Sequence, residues 1–280
     1  MSLGSALRTA RGHLLGHYRR PLPAAFSEPL RGAKGLEIGG PSAVFGAAGL
    51  LAVYPLLRSL DGVQPSAQTH WHDLDAAAGY VVDGRRRGEL HIAADVELAF
   101  APDGVYDLVL CSHVLEHIAN PLRALAQWRR VTVAGGHLLI VAPHLEGTFD
   151  HRRPVTALAH MRADLKAGVG EDDLTHVDEF LALHDASRNA PWTAGPEFEP
   201  RIRDNASTRL MHHHTFTTLS LIDLLEHAGI EVMAAQARLP HDIYVLGRWT
   251  DAPPAAFEVA QRAARRSPFA RDRLEARGRR

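Results

Sequence analysis

Residues 105–144 read VYDLVLCSHVLEHIANPLRALAQWRRVTVAGGHLLIVAPH, and this stretch sets the fold class. Val105 to Cys111 is an apolar run broken only by Asp107, which suits a strand buried on both faces. Asn120-Pro121 then supplies a helix start, an N-cap side chain followed by a proline whose missing N–H costs nothing there. Leu122, Leu125, Trp128 and Val131 recur along one face, with Arg123, Gln127 and Arg130 on the other. Gly135-Gly136 is expected to end the helix, and Leu138 to Ala142 forms a second buried strand closed by Pro143. A strand–helix–strand crossover makes its two strands parallel neighbours in an α/β sheet. Ligands bind such sheets at the carboxyl ends of the strands. Cys111, Ser112, His113, Glu116 and His117 therefore stand where chemistry is expected.

Working upstream, Leu36 and Ile38 in GLEIGGPS mark a short buried strand ending at Gly39-Gly40, with Pro41-Ser42 as a helix start. Glycines at that position let a ligand approach the backbone closely. Glu37 is an acid on a buried strand and needs a partner. The G-x-G-x-x-G fingerprint is absent, which counts against a nicotinamide or flavin enzyme. Tyr54 to Asp61 reads as a second strand ending in an acid. Asp61 follows Gly39 by 22 residues, near the roughly 20 expected for a carboxylate that binds ribose hydroxyls. Residues 62–89 read as loop and weak helix, and Leu90 to Ala94 as a third strand, followed by Asp95-Val96.

Taken together, GLEIGGPS, Asp61, ADVELAF, VYDLVLCSHVLEHIANP and GGHLLIVAPH resemble the class I S-adenosylmethionine-dependent methyltransferases, in particular the small-molecule enzymes with an "LEH" segment after the fourth strand. The resemblance implies a Rossmann-like, doubly wound, seven-stranded sheet, mostly parallel with the last strand antiparallel. It also implies S-adenosyl-L-methionine as cofactor. By position, Glu37, Gly39 and Gly40 would hold its methionine moiety, Asp61 its ribose, and Asp95 with Val96 its adenine. Ser112 and His113 would line the cofactor and substrate side. Pro41-Ser42 depart from the glycines usual in the family.

Downstream, about 70 residues separate the fifth strand from the next helix, too many for a connection. Residues 145–215 are therefore expected to be an inserted helical lid, with helices at Pro154 to Lys166 and from a Thr175-x-x-Asp178 capping box through Leu183. Arg188 to Ser207 reads as loop. Thr217 caps an amphipathic helix with Leu219, Ile222 and Leu225 inward and Gly229 as its stop. Ile230 to Ala235 and Ile243 to Arg248 form a closing hairpin, completing a domain of residues 35–144 and 216–249. Residues 1–34 read as a basic arm and 250–280 as an Arg-rich tail, helical at the periphery or without structure.

Nine of the 18 histidines lie between His137 and His214. Methyl transfer often requires removal of a proton from the acceptor, which neutral imidazole does well near pH 7. His144, directly after the fifth strand, is the first candidate base, and His151 the second. Arg152, His176, Glu179 and His213 are expected to contact the substrate. His151, His176, Glu179, His184 and the run His212-His213-His214 also leave room for a divalent metal that would hold vicinal hydroxyls.

A net charge of −1 gives no argument for nucleic acid or an anionic membrane. The single cysteine fits a reducing, cytoplasmic setting, and no apolar run reaches the length of a membrane span. The expected partner is a small molecule, and a homo-oligomer is compatible. The reading is methyl transfer to a small polar acceptor, with a sugar-like hydroxyl favoured. Its rivals are a metal-dependent hydrolase or lyase built on the histidines, and a non-catalytic subunit with a cofactor fold.

Overall fold

The computed structural model describes residues 21–69, 73–93, 96–188, 195–251 and 257–279. Its centre is a seven-stranded sheet. In chain order the strands are β1 (Lys34–Ile38), β2 (Ser59–Gln64), β5 (Leu90–Ile92), β6 (Tyr106–Ser112), β7 (Thr132–Pro143), β8 (Ile230–Arg238) and β9 (Asp242–Trp249); β3 (Tyr80–Val82) and β4 (Arg85–Gly88) pair in a separate hairpin. The spatial order is β5-β2-β1-β6-β7-β9-β8. The pairs from β5 to β7 are parallel, and β9 is inserted antiparallel between β7 and β8.

The α1 helix (Pro121–Val131) begins as its sequence predicts: the Asn120 side chain accepts the N–H of Arg123, with Pro121 at the first helical position. It buries Leu122, Leu125, Trp128 and Val131. The glycine pair does not end this helix. β7 starts at Thr132, and residues 133–136 form an irregularity between the pairings Tyr106↔Thr132 and Leu108↔His137.

Alternation along the strands creates two apolar layers. Val109, Cys111, Ile140 and Val245 face α1, α6 (Thr218–His227) and the tail helices α7 (Phe257–Arg266) and α8 (Ala270–Gly278). Leu108, Leu110, Val141 and Leu246 face Phe26, Leu30, Phe45 and Tyr54 instead. Among the described residues no α-helix covers that second face. The helix expected from Pro41-Ser42 is only a 3₁₀ turn at Ala43–Phe45, because Pro41, Gly46, Gly49 and Pro55 break the segment. The stretch read as loop and weak helix contains the β3–β4 hairpin.

The tail is integral rather than peripheral: Ala260, Ala264 and Ala276 belong to the first layer. Part of the basic arm is likewise core, through Leu22, Phe26 and Leu30; residues 1–20 lie outside the described part. Among the described residues no helix is long and apolar enough to cross a membrane.

The segment 145–215 carries α2 (Leu158–Ala167), α3 (Val177–Leu183), α4 (Phe198–Arg203) and α5 (Asn205–Thr208), the last two in a stretch expected to be loop. Phe149, Phe180, Ile202 and Met211 give it a small core of its own. The Thr175 capping box does not form; α3 starts one residue later, and Thr175 Oγ1 donates to Asp173 at 2.8 Å. Thr217 caps α6 as expected, in a reciprocal box with Ser220.

Candidate active site

A cavity of about 1140 Å³ opens at the carboxyl ends of the parallel strands. Ile38, Gln64, Ser112 and Pro143 line it from β1, β2, β6 and β7, and Phe149, Arg201, Arg209 and His212 close it from the lid segment. Ordinary single-ligand pockets hold about 300–1,000 Å³. This one has space for a donor and a small acceptor together.

The floor is the Gly39–Ser42 loop. Gly39 has φ +76°, and a Cβ there would lie 2.5 Å from Val114 Cγ2. A Cβ on Gly40 would overlap the Glu37 carboxylate and the Tyr80 hydroxyl. Glu37 is fully buried and does not line the cavity. It accepts hydrogen bonds from Ser42 N–H (3.1 Å), Tyr54 O–H (2.7 Å) and Tyr80 O–H (2.6 Å). Glu37 is thus a positioning residue that ties the loop to the second core. Gln64 Nε2 donates to the Gly40 carbonyl from the next strand.

Burial raises the Glu37 pKa from 4.5 to about 7, against the lowering effect of its three donors. A carboxyl raised in the folded state adds stability below its unfolded pKa and loses it as pH rises through the folded one. Between pH 4.5 and 7 that loss is on the order of 3 kcal/mol. The melting-temperature gap between wild type and Glu37→Gln should therefore narrow from pH 5 to pH 8. A gap independent of pH would remove Glu37 as the titrating group.

Asp61 lies away from the cavity. β2 runs three residues further than the sequence suggested, so Asp61 sits inside the strand. Its carboxylate accepts Glu89 N–H and Tyr106 O–H, each at 2.9 Å. The carboxyl end of β2 presents Gln64, Pro65 and Ser66 instead. Val96 lines the cavity as expected, whereas Asp95 lies outside the described residues.

At the other end stand Ser112, His113, Glu116, His117 and His212, with Asp242 from the start of β9. His113 has φ +55°, the left-handed region that a side-chain-bearing residue adopts at a cost. Its Nε2 donates to Asp242 Oδ1 at 3.0 Å, and its Nδ1 lies 3.6 Å from Glu116 Oε1. Burial works against the Asp242 charge, but His113 outweighs it and holds that carboxyl below its ordinary range. Glu116 is fully buried, and neither carboxylate oxygen has a hydrogen-bond partner. Burial pushes its pKa up, partly offset by His113 and His212. His117 Nδ1 donates to the Met211 carbonyl (3.1 Å), and His212 Nδ1 to Asp150 Oδ2 (2.5 Å). Of these, Glu116 and His117 were placed by the sequence reading where chemistry is expected, and His212 was named only within the tandem run offered for a metal. Asp242 was not singled out, and nothing in its own stretch of sequence marks it as a partner of His113.

The expected bases stand elsewhere. His144 is completely buried and lines no part of the cavity. Its Nε2 faces Asp272 Oδ1 at 3.2 Å, and its ring stacks on Phe269, with centroids 3.9 Å apart. Position after β7 suggested a base, but the tail helix α8 covers the side chain. His144→Gln should lower stability by about 1–3 kcal/mol while changing kcat less than about threefold. A hundredfold drop in kcat at unchanged stability would contradict this.

The remaining expected contacts are also turned away from the cavity. His151 donates to Asp185 at 2.8 Å, and Arg152 pairs with the same carboxylate at 3.3 Å. Glu179 is taken by Arg153 at 2.9 Å, and His176 faces His160 at 3.0 Å. His213 is buried against Asn205 (3.1 Å), and burial lowers its pKa to about 3. The three tandem histidines point in different directions, so the metal site envisaged from His151, His176, Glu179 and the tandem run is not assembled.

A seven-stranded sheet with a reversed strand inserted at one side, a glycine loop after the first strand and a cavity over the strand ends define a class I S-adenosylmethionine-dependent methyltransferase. A family model described as a methyltransferase domain matches residues 10–235, and the chain belongs to that family. No curated protein matches it.

Among solved structures, the chain is similar to an S-adenosylmethionine-dependent methyltransferase from Aquifex aeolicus (13% identity, 85% of this chain and 98% of that one, TM-score 0.42). It is also similar to one from Mesorhizobium loti (15% identity, 81% and 93%, TM-score 0.44). A third is the 1,6-didemethyltoxoflavin-N1-methyltransferase of Burkholderia thailandensis with bound 1,6-didemethyltoxoflavin and S-adenosylhomocysteine (17% identity, 88% and 79%, TM-score 0.42).

Proposed function

We propose that the chain transfers the methyl group of S-adenosylmethionine to a hydroxyl of a small polar, sugar-like metabolite held between the strand ends and the lid, in a cytoplasmic setting. The observation that carries this reading is Glu116. A buried carboxylate with two unanswered oxygens needs a donor from a ligand, and a polyhydroxylated acceptor supplies such donors.

When bound, S-adenosylmethionine supplies an electrophilic methyl group on a sulfonium. The chain has to align the acceptor in line with it and accept one proton. The Gly39–Ser42 loop and the region from Gln64 to Val96 support the donor side. Glu116 orients the acceptor by taking a hydrogen bond from one hydroxyl. Asp242 holds His113 Nε2–H, which leaves Nδ1 to take the proton from the reacting hydroxyl. Arg201 and Arg209 form the polar rim on the lid side.

Labelled methyl transfer to a panel of sugars, polyols, phenols and amines tests the acceptor class. Glu116→Gln should raise KM for the acceptor by about tenfold or more, the worth of a charge-assisted hydrogen bond, with S-adenosylhomocysteine affinity unchanged. Methylation confined to amines would overturn the hydroxyl assignment. Loss of S-adenosylhomocysteine binding in Glu116→Gln would move Glu116 to the donor side.

A further inference from the structure

Outside the cavity, His160, Asp164 and His214, from the lid segment and its return, come together, and His176 joins them through His160. His160 and Asp164 stand one turn apart on α2, His176 precedes α3, and His214 ends the tandem run before α6. His160 Nε2 lies 3.0 Å from His176 Nε2 and 3.3 Å from Asp164 Oδ2. The His214 ring centroid is 6.0 Å from that of His160 and 5.9 Å from that of His176. His160, Asp164 and His214 each bring a ligand atom within 4.8 Å of the others. None of the four lines the cavity.

Two atoms of this cluster are unanswered. His214 is 1% exposed, and its Nε2 donates to the Ala119 carbonyl at 3.1 Å. A carbonyl only accepts, so the proton sits on Nε2 and Nδ1 is a lone pair; it is buried and has no hydrogen-bond partner. Asp164 Oδ2 is likewise buried with no hydrogen-bond partner. A proton shared between His160 and His176 would satisfy those two rings and leave both acceptors unmet. One cation would satisfy all four groups. The backbone carbonyl behind His214 is the kind of outer partner that fixes a ligating imidazole.

We propose that His160, Asp164, His176 and His214 form a structural site for a divalent transition ion of the zinc type. Tetrahedral zinc with bonds of about 2.0–2.1 Å sets its ligand atoms roughly 3.3 Å apart, close to the two short separations already present. Three nitrogens and one carboxylate close the coordination, which makes the role structural rather than catalytic. The ion pins α2 and the start of α3 to the segment that returns the chain to the sheet. His160, with a side chain 42% exposed, leaves a route in from solvent. The site is independent of which acceptor is methylated.

The test uses the full chain without a histidine tag. Elemental analysis should find close to one zinc per chain. After chelation, added zinc should raise the melting temperature by about 5 °C or more. His160→Ala and Asp164→Asn should each weaken zinc binding at least about a hundredfold, yet keep the thermal shift given by S-adenosylhomocysteine, which shows that they fold. Glu116→Gln should keep the zinc. Absence of zinc from the wild type together with no response to added zinc would overturn the site. So would zinc that survives both lid variants and is lost in Glu116→Gln.

Discussion

Replacing Gly39 by valine is expected to abolish S-adenosylhomocysteine binding while leaving the sheet intact. The backbone at this position has φ +76°, where a β-branched side chain costs about 1–3 kcal/mol. The added Cβ would also fall 2.5 Å from Val114 Cγ2 on the neighbouring strand end, and overlap of this kind adds about 1–3 kcal/mol. Both penalties vanish only if the Gly39–Ser42 loop moves, and that loop is the cavity floor. A combined total of about 2–6 kcal/mol spent in this way corresponds to an affinity loss of roughly thirtyfold to twenty-thousandfold. Titration calorimetry reads the loss, and far-ultraviolet circular dichroism reports whether the fold is kept. Unchanged affinity in a folded variant would show that the donor does not rest on this loop.

Arg153→Met is expected to cost about 3–5 kcal/mol, the largest stability effect of any single lid substitution. The Arg153 side chain is 1% exposed. It bonds Asp150 (3.0 Å), Glu179 (2.9 Å) and the carbonyls of His212 (2.8 Å) and His213 (3.3 Å), with its guanidinium over the Phe180 ring at 5.5 Å. Methionine fills much of the volume but leaves Asp150 as a buried carboxylate held only on the His212 side. Two buried carbonyls lose a donor as well. Burial works against the Asp150 charge; His212 and Arg153 together outweigh it and hold the carboxyl low, so the Arg153 part of that compensation disappears. The loss should appear as early cleavage within residues 145–215 under limited proteolysis and as a higher KM for the acceptor. A melting temperature within 1–2 °C of wild type would contradict the role, since about 1 kcal/mol shifts a domain of this size by roughly 2–4 °C.

The parallel sheet was legible because its strands are short apolar runs and its crossover helix carries local signals. Asn120-Pro121 and Thr217 act through their own backbone neighbours, and both caps form where the residues predict. The sheet face that no α-helix covers among the described residues was harder to read, since its cover is assembled from Phe26, Phe45 and Tyr54, with no period to follow. The glycine loop, Val96, Ser112 and His113 could be placed because they sit at strand ends or just beyond. Asp61 was misplaced by a boundary error of three residues, which in a strand also turns the side chain to the other face. His144 illustrates the deeper limit: its burial depends on Asp272 and Phe269, more than 120 residues away in the chain. Asp242 is equally remote from His113, and only folding brings them within 3.0 Å.

The most direct measurement is a crystal structure with S-adenosylhomocysteine bound. The amino-acid portion should lie over Gly39–Ser42, the nucleoside between Gln64 and Val96, and the sulfur on the side of His113 and Glu116. A nucleoside against Asp61, or a molecule bound outside the strand-end cavity, would contradict the assignment of that cavity as the site of methyl transfer.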